Sequence, residues 1–226
     1  MAVQSIPLAL ASDGVVRTDP ANAFFGRVTA AERAFAFFVL VILSPLLLGC
    51  ACAIVILSRN SPLIAHRRLG LHGRTIWVLK FRTMWRAENA RSRKLYERIA
   101  PETQQPLAAK RALDPRVTSS FAAFCRKHSL DELPQFWNVV RGEMALVGPR
   151  PITTYEVEMY YPDDARELLA VKPGITGLWQ VRGRSSLNYH QRRKLDLYLI
   201  RHCDAKLYGR ILLASIGGVF SGKDAW

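Results

Sequence analysis

Ala34-Phe-Ala-Phe-Phe-Val-Leu-Val-Ile-Leu-Ser-Pro-Leu-Leu-Leu-Gly-Cys-Ala-Cys-Ala-Ile-Val-Ile-Leu57 runs for 24 residues without a charged side chain. A straight helix of that length reaches about 36 Å at 1.5 Å per residue, enough to cross the hydrocarbon of a bilayer. Fifteen of the residues are Phe, Leu, Ile or Val, worth about −5 to −9 kcal/mol of insertion. Pro45 costs roughly 3 kcal/mol in a helix, so entry into the membrane remains favourable. Its ring removes the bond to the Val41 carbonyl and kinks the segment near its middle. Basic residues flank both ends, Arg27 and Arg33 before it and Arg59, Arg67 and Arg68 after it. The positive-inside rule puts both flanks in the cytoplasm, which predicts a re-entrant helix-break-helix. A kinked single-pass anchor is the alternative, because most segments of this length span.

A signal peptide is not expected, because more than thirty residues precede the apolar core. Leu47-Leu-Gly-Cys50 has the look of a lipoprotein cleavage site, but the apolar run continues for seven residues beyond Cys50. The domain reading is a flexible tail over 1–30, a membrane helix over 31–58 and a cytoplasmic domain over 59–226. The fold class is α+β and mainly helical, with surface amphipathic helices and a short β element. Gly73 to Arg82 reads as a strand with Trp77, Leu79 and Phe81 on one face and Lys80 and Arg82 on the other. Arg86 to Ala112 reads as a charged surface segment. Helices are expected from Pro134, around Ala165 to Val171, and from Tyr189 to about Ile200. Leu207 to Phe220 mixes apolar residues with Arg210 and suits either a bilayer surface or core packing.

Lys and Arg outnumber Asp and Glu by 32 to 18, a formal charge of +14. That balance implies an anionic partner, whether nucleic acid, acidic lipid or a phosphorylated substrate. Cys50, Cys52, Cys125 and Cys203 have no metal-ligand spacing with the five histidines and read as idle thiols of a reducing compartment.

The chemistry concentrates in Arg126-Lys-His-Ser-Leu-Asp-Glu-Leu-Pro-Gln-Phe-Trp-Asn138, where Asp131 and Glu132 stand between cations. Ser129 and Glu132 fit a capping box, the plain structural reading. Pro134 argues for a later helix start, which places both acids just ahead of a positive helix end. An ionised aspartate beside bound phosphate is a candidate nucleophile, and its neighbour a candidate ligand for a divalent cation. Two adjacent carboxylates otherwise raise one another's pKa.

With these residues in view, the chain resembles the bacterial sugar transferases of the monotopic phosphoglycosyl transferase family. The resemblance runs from about Phe35 to the C-terminus. It rests on Lys80-Phe-Arg-Thr-Met84, Asp114-Pro-Arg-Val-Thr118, Ser129-Leu-Asp-Glu-Leu-Pro-Gln135, Asn138-Val-Val-Arg-Gly-Glu-Met144, Val147-Gly-Pro-Arg-Pro151 and Lys172-Pro-Gly-Ile-Thr-Gly-Leu-Trp-Gln180. His66-Arg-Arg68 is most similar to the short, exopolysaccharide-initiating branch. The family usually has Gln where His66 stands, and Gly where Ala122 begins the run to Arg126.

The resemblance implies an undecaprenyl-phosphate sugar-1-phosphate transferase at the cytoplasmic face of the bacterial inner membrane. Asp131 attacks a UDP-hexose carrying glucose or galactose, UMP leaves, and undecaprenyl phosphate takes the phosphosugar. Asp131 and Glu132 are the implied catalytic pair and the implied Mg²⁺ ligands. Arg150, Lys80, Arg82, Arg126, Asp196 and Asp204 are the implied substrate- or phosphate-binding residues. For the cations, the bland reading is balance of nearby acids; for Asp196 and Asp204, a helix-face charge and a cap. A homodimer is admitted. A membrane-tethered basic scaffold is the alternative, but it does not explain two acids among cations. A nucleic-acid-binding protein does not explain the apolar segment, and no such signature is present.

Overall fold

The computed structural model describes residues 20–84, 119–183 and 187–221. The expected charged segment 86–112, Asp114-Pro-Arg-Val-Thr118 and most of the expected tail lie outside them. Helix α1 spans Pro20–Ser58, 39 residues, so residues 20–30, read as tail, are helical. Proline suits the first helical position, and the helix is held by contacts remote in sequence. Phe25 is buried, and Phe24 meets the Tyr208 ring edge-on at 5.6 Å.

Helix α1 runs through Pro45 without interruption. The Val41 carbonyl, which loses its N–H partner to the proline ring, accepts from Ser44 Oγ at 2.7 Å. A hydroxyl thus replaces the missing main-chain bond where lipid would offer nothing. Thr29–Ser58 is long and apolar enough to cross a membrane, and the rest of the chain covers little of it. Phe37, Phe38, Val41, Ile42, Leu48 and Ile56 are all exposed.

The foot of α1 is fastened by charge. Glu32 is buried and accepts from the Leu146 N–H at 2.8 Å and from the Tyr208 hydroxyl. Next to it, Arg33 Nε donates to the Val140 carbonyl at 2.8 Å.

Strands β1 (Leu63–Leu69) and β2 (Thr75–Phe81) pair antiparallel, with Arg67 opposite Trp77 and Ala65 opposite Leu79. Trp77 and Leu79 share one face and Lys80 lies on the other, as expected, and the Lys80 face is the one turned to the core. Trp77 is exposed, whereas Ile76 and Val78 are buried. Directly opposed residues share a face, so His66, Arg68 and Lys80 lie on the inner side with Val78. Phe81 is buried although it belongs to the outer alternation, because it packs on Cys50 and Ile54 of α1.

Helix α2 (Ser120–Lys127), a 3-10 turn (Leu130–Gln135) and α3 (Phe136–Val140) follow. Strand β3 (Ala145–Val147) lies parallel to β4 (Gly174–Thr176). Between them come α4 (Thr154–Tyr160) and α5 (Ala165–Leu168), and after them α6 (Leu178–Arg182), α7 (Tyr189–His202) and α8 (Ala205–Ser221). A Cβ on Gly174 would lie 2.1 Å from the Gly148 nitrogen, and one on Gly148 would lie 2.6 Å from the Lys172 oxygen. Only glycine permits this crossing. Helix α8 buries Tyr208 and Ile211 but leaves Leu213 and Ile216 exposed. Among the described residues the architecture is mainly helical, as expected, with two small sheets where one short β element was foreseen.

Replacing Glu32 with Ala strands the Leu146 N–H and the Tyr208 hydroxyl without an acceptor, at about 1–3 kcal/mol for each buried group. Denaturant unfolding in detergent should show a loss of about 2–4 kcal/mol, with Glu32→Gln recovering part of it.

Candidate active site

Ser119 Oγ caps α2 by accepting from the Ala122 N–H at 3.1 Å. The helix ends at Lys127, and Ser129 takes a left-handed conformation, φ 54°. That reversal turns the chain into the 3-10 segment, and the Ser129 side chain makes no capping bond. The capping-box reading therefore fails, and so does a helix beginning at Pro134. Both acids ride on the 3-10 turn itself, the usual form of a tight helix entry. Helix α3 has only five residues, so the local field comes from side chains more than from a helix dipole.

Glu132 faces Lys80 of β2 across an ion pair of 2.5 Å. Asp131 is pushed up to about 6, first by burial and then by Glu132, while Lys80 and Arg126 pull it down. Asn138 ties the turn to the strand that carries Lys80. Its Oδ1 accepts from the Leu79 N–H at 3.1 Å, and its Nδ2 donates to the Trp77 carbonyl and to Glu143 Oε2, both at 2.8 Å. The strand and the acid-bearing turn thus form one unit.

The inner face of the hairpin extends the cationic surface. His66 is held down to about 4 by burial, then by Arg68, Lys80 and Arg150. It is a neutral imidazole among three positive groups. Arg150 follows β3 between two prolines, and its guanidinium carbon lies 5.7 Å from the centre of the Trp179 ring. Gly148 N–H donates to the Thr176 carbonyl and Gly174 N–H to the Pro149 carbonyl, at 2.9 and 2.8 Å. These bonds fix the loop's main chain on both sides of the sheet.

The structure brings Asp131, Glu132, Lys80 and Arg126 together, with Arg150 beyond His66. Arg82 turns its Nε to the Ser61 carbonyl at 2.8 Å. Asp196 is 1% exposed, its carboxyl closed to solvent. Asp204 is exposed and accepts from the Leu207 N–H at 2.7 Å at the start of α8. It caps that helix. Sequence reasoning did not single out Asn138, Trp179, Tyr161 or Arg192. Arg192 stands four residues before Asp196 on α7, a spacing that places them on one helix face.

Among the described residues no group of three or more His, Cys, Asp or Glu forms a metal cage. The donor set still suits Mg²⁺, which takes one or two protein carboxylates and completes its shell with water and substrate oxygens. The mutual repulsion of Asp131 and Glu132 is the charge a cation would relieve.

Comparison with known proteins follows the same residues. The family model for bacterial sugar transferases matches residues 24–222. The chain is similar to a UDP-galactose-lipid carrier transferase of Erwinia amylovora, 39% identical over 196 residues, covering 83% of this chain and 39% of the relative. It is similar to the exopolysaccharide production protein ExoY of Rhizobium meliloti, 39% identical over 179 residues, covering 76% of this chain and 77% of the relative. A UDP-glucose:undecaprenyl-phosphate glucose-1-phosphate transferase of Klebsiella pneumoniae is 34% identical over 195 residues, covering 83% and 39%. The chain therefore spans about two fifths of the first and third relatives and about three quarters of the second.

Because folding raises the Asp131 pKa from 3.8 to about 6, the fold favours its protonated form. Its ionisation therefore costs stability, increasingly as pH climbs from about 4 to 6. In buffer free of divalent cations, Asp131→Asn should be more stable than wild type at pH 7.5, by about 1–3 kcal/mol. The gain should fade below pH 4, as unfolding followed across pH would show.

Proposed function

The chain belongs to the bacterial sugar transferase family, and from that premise we propose that it transfers a hexose-1-phosphate from a UDP-sugar to undecaprenyl phosphate. The observation that carries this reading is a partly buried aspartate, raised in pKa, set among Glu132, Lys80 and Arg126. The substrates are those for which the relatives are named.

Asp131 is the nucleophile. One carboxylate oxygen forms a bond to the sugar-linked phosphorus of the donor, and the bond from that phosphorus to UMP breaks. UMP leaves with the electron pair, and the phosphosugar remains on Asp131. A phosphate oxygen of undecaprenyl phosphate then bonds to the same phosphorus, and the aspartyl oxygen is expelled as carboxylate. Lys80 and Arg126 favour the ionised nucleophile, since both lower its pKa. Arg150 offers a planar fork to phosphate oxygens. Asp131 and Glu132 would hold Mg²⁺, which would offset the diphosphate charge and polarise the phosphoryl group.

The exposed apolar length of α1 supports attachment to a bilayer. Basic residues at both of its ends support a re-entrant path that keeps the catalytic part on the cytoplasmic face of the inner membrane. The lipid acceptor and the soluble donor then meet at one surface.

Membranes given UDP-hexose, Mg²⁺ and undecaprenyl phosphate should release UMP. UDP release would mark ordinary glycosyl transfer and refute the reading. Asp131→Asn should abolish turnover, and the wild-type protein given donor without acceptor should gain the mass of a hexose phosphate at that residue. Arg150→Ala should raise the donor KM about 10–100-fold, the loss expected for a charge-assisted contact.

A further inference from the structure

The transfer steps leave His66 unused. It stands on β1 directly opposite Val78, and its neighbour on the same face, Ile64, stands opposite Lys80. His66 and Lys80 are therefore diagonal neighbours across the hairpin, about 7–8 Å apart at their Cα atoms. At one end this face closes on the core through Leu69, Ile76 and Val78. At the other end Lys80 Nζ meets Glu132 Oε1 at 2.5 Å, beside Asp131. The Leu69 N–H donates to the Ile152 carbonyl at 2.8 Å, which ties β1 to the segment two residues past Arg150. His66 thus lies on the strand that runs from the acid-bearing turn toward the Arg150 loop.

The ring is half-buried, and among the described residues no hydrogen bond occupies its nitrogens. Such a group has bonding capacity left to spend on a ligand. Burial first, then Arg68, Lys80 and Arg150, hold its pKa down to about 4, so the ring is neutral. A neutral imidazole offers one N–H donor and one acceptor. Phosphate oxygens only accept, and the cations around the ring already suit them. A sugar hydroxyl both donates and accepts, which matches the neutral ring. Attack on the sugar-linked phosphorus puts the hexose next to the reacting atom. Uracil lies further off, beyond a second phosphate and a ribose.

We propose that His66 is a specificity-determining residue that reads one hydroxyl of the donor's hexose from the inner face of the hairpin. The inference rests on the transfer reading above and deepens it by naming the sugar contact. A histidine that served packing alone would affect every donor alike.

The test pairs residue with hydroxyl in a cycle on the full-length protein in membranes. UMP release is followed for the UDP-hexose that the wild type uses and for each of its monodeoxy analogues. One analogue should lose about tenfold in kcat/KM with the wild type, and no more than about twofold with His66→Ala. His66→Gln returns an amide donor and acceptor and should restore part of the discrimination. Inhibition by UMP, which lacks the hexose, should stay within about twofold of wild type in every variant. Monodeoxy penalties that His66→Ala leaves unchanged, or a wild type indifferent to every hydroxyl, overturn the proposal. UMP inhibition that weakens in step with donor use overturns it as well. Should His66→Ala not fold, His66→Phe keeps a ring without nitrogens and must erase the same penalty; a penalty it leaves intact overturns the proposal equally. A wild-type protein that releases no UMP from any UDP-hexose brings down the transfer reading itself, a failure distinct from that of the cycle.

Discussion

One carboxylate at the foot of the long helix holds the molecule's parts in register. Glu32 accepts from the main chain of β3 and from the hydroxyl of Tyr208 on α8, so three elements distant in sequence meet at one buried acid. Arg33, the next residue, reaches the Val140 carbonyl at the end of α3, the helix that follows the Asp131–Glu132 turn. Whatever orients α1 in a bilayer therefore also orients the acids, within the span of a few side chains. The proposed transfer between one water-soluble and one lipid-bound reactant would draw on that coupling.

Around the acids the electrostatics are poised between two failures. Burial and Glu132 work to neutralise Asp131, and Lys80 and Arg126 work to keep it charged. A fully solvated aspartate would be tightly hydrated and a poorer nucleophile. A fully buried one would keep its proton. The ion pair with Lys80 keeps Glu132 in place without a metal, and Asn138 makes that arrangement rigid through three hydrogen bonds. The cost in stability falls on Asp131, the proposed nucleophile, as expected where function and folding compete for one side chain.

What the sequence made legible was whatever depends on neighbours in the chain. The charge-free run at Ala34 to Leu57, the adjacent acids and the stiff Pro149-Arg150-Pro151 unit all show in local order. The face of β2 did not, because alternation defines two faces without saying which one meets the core. Trp77 lost to Ile76 and Val78 through the packing of the whole hairpin. The start of α1 at Pro20 depends on aromatic contact with Tyr208, far along the chain. Asp196 and Asp204 look alike on paper, and only the packing of α7 buries one and leaves the other as a cap. The capping box at Ser129 yielded to a left-handed residue, a backbone choice that composition does not announce.

The crossing of Gly148 and Gly174 has a consequence for redesign. A Cβ on Gly177 would likewise come within 2.4 Å of the Gly148 oxygen, so three glycines interlock through bare main chain. The main-chain position of Arg150 is thus set by backbone contacts. Bulk introduced at any of the three glycines would displace the main chain that carries Arg150.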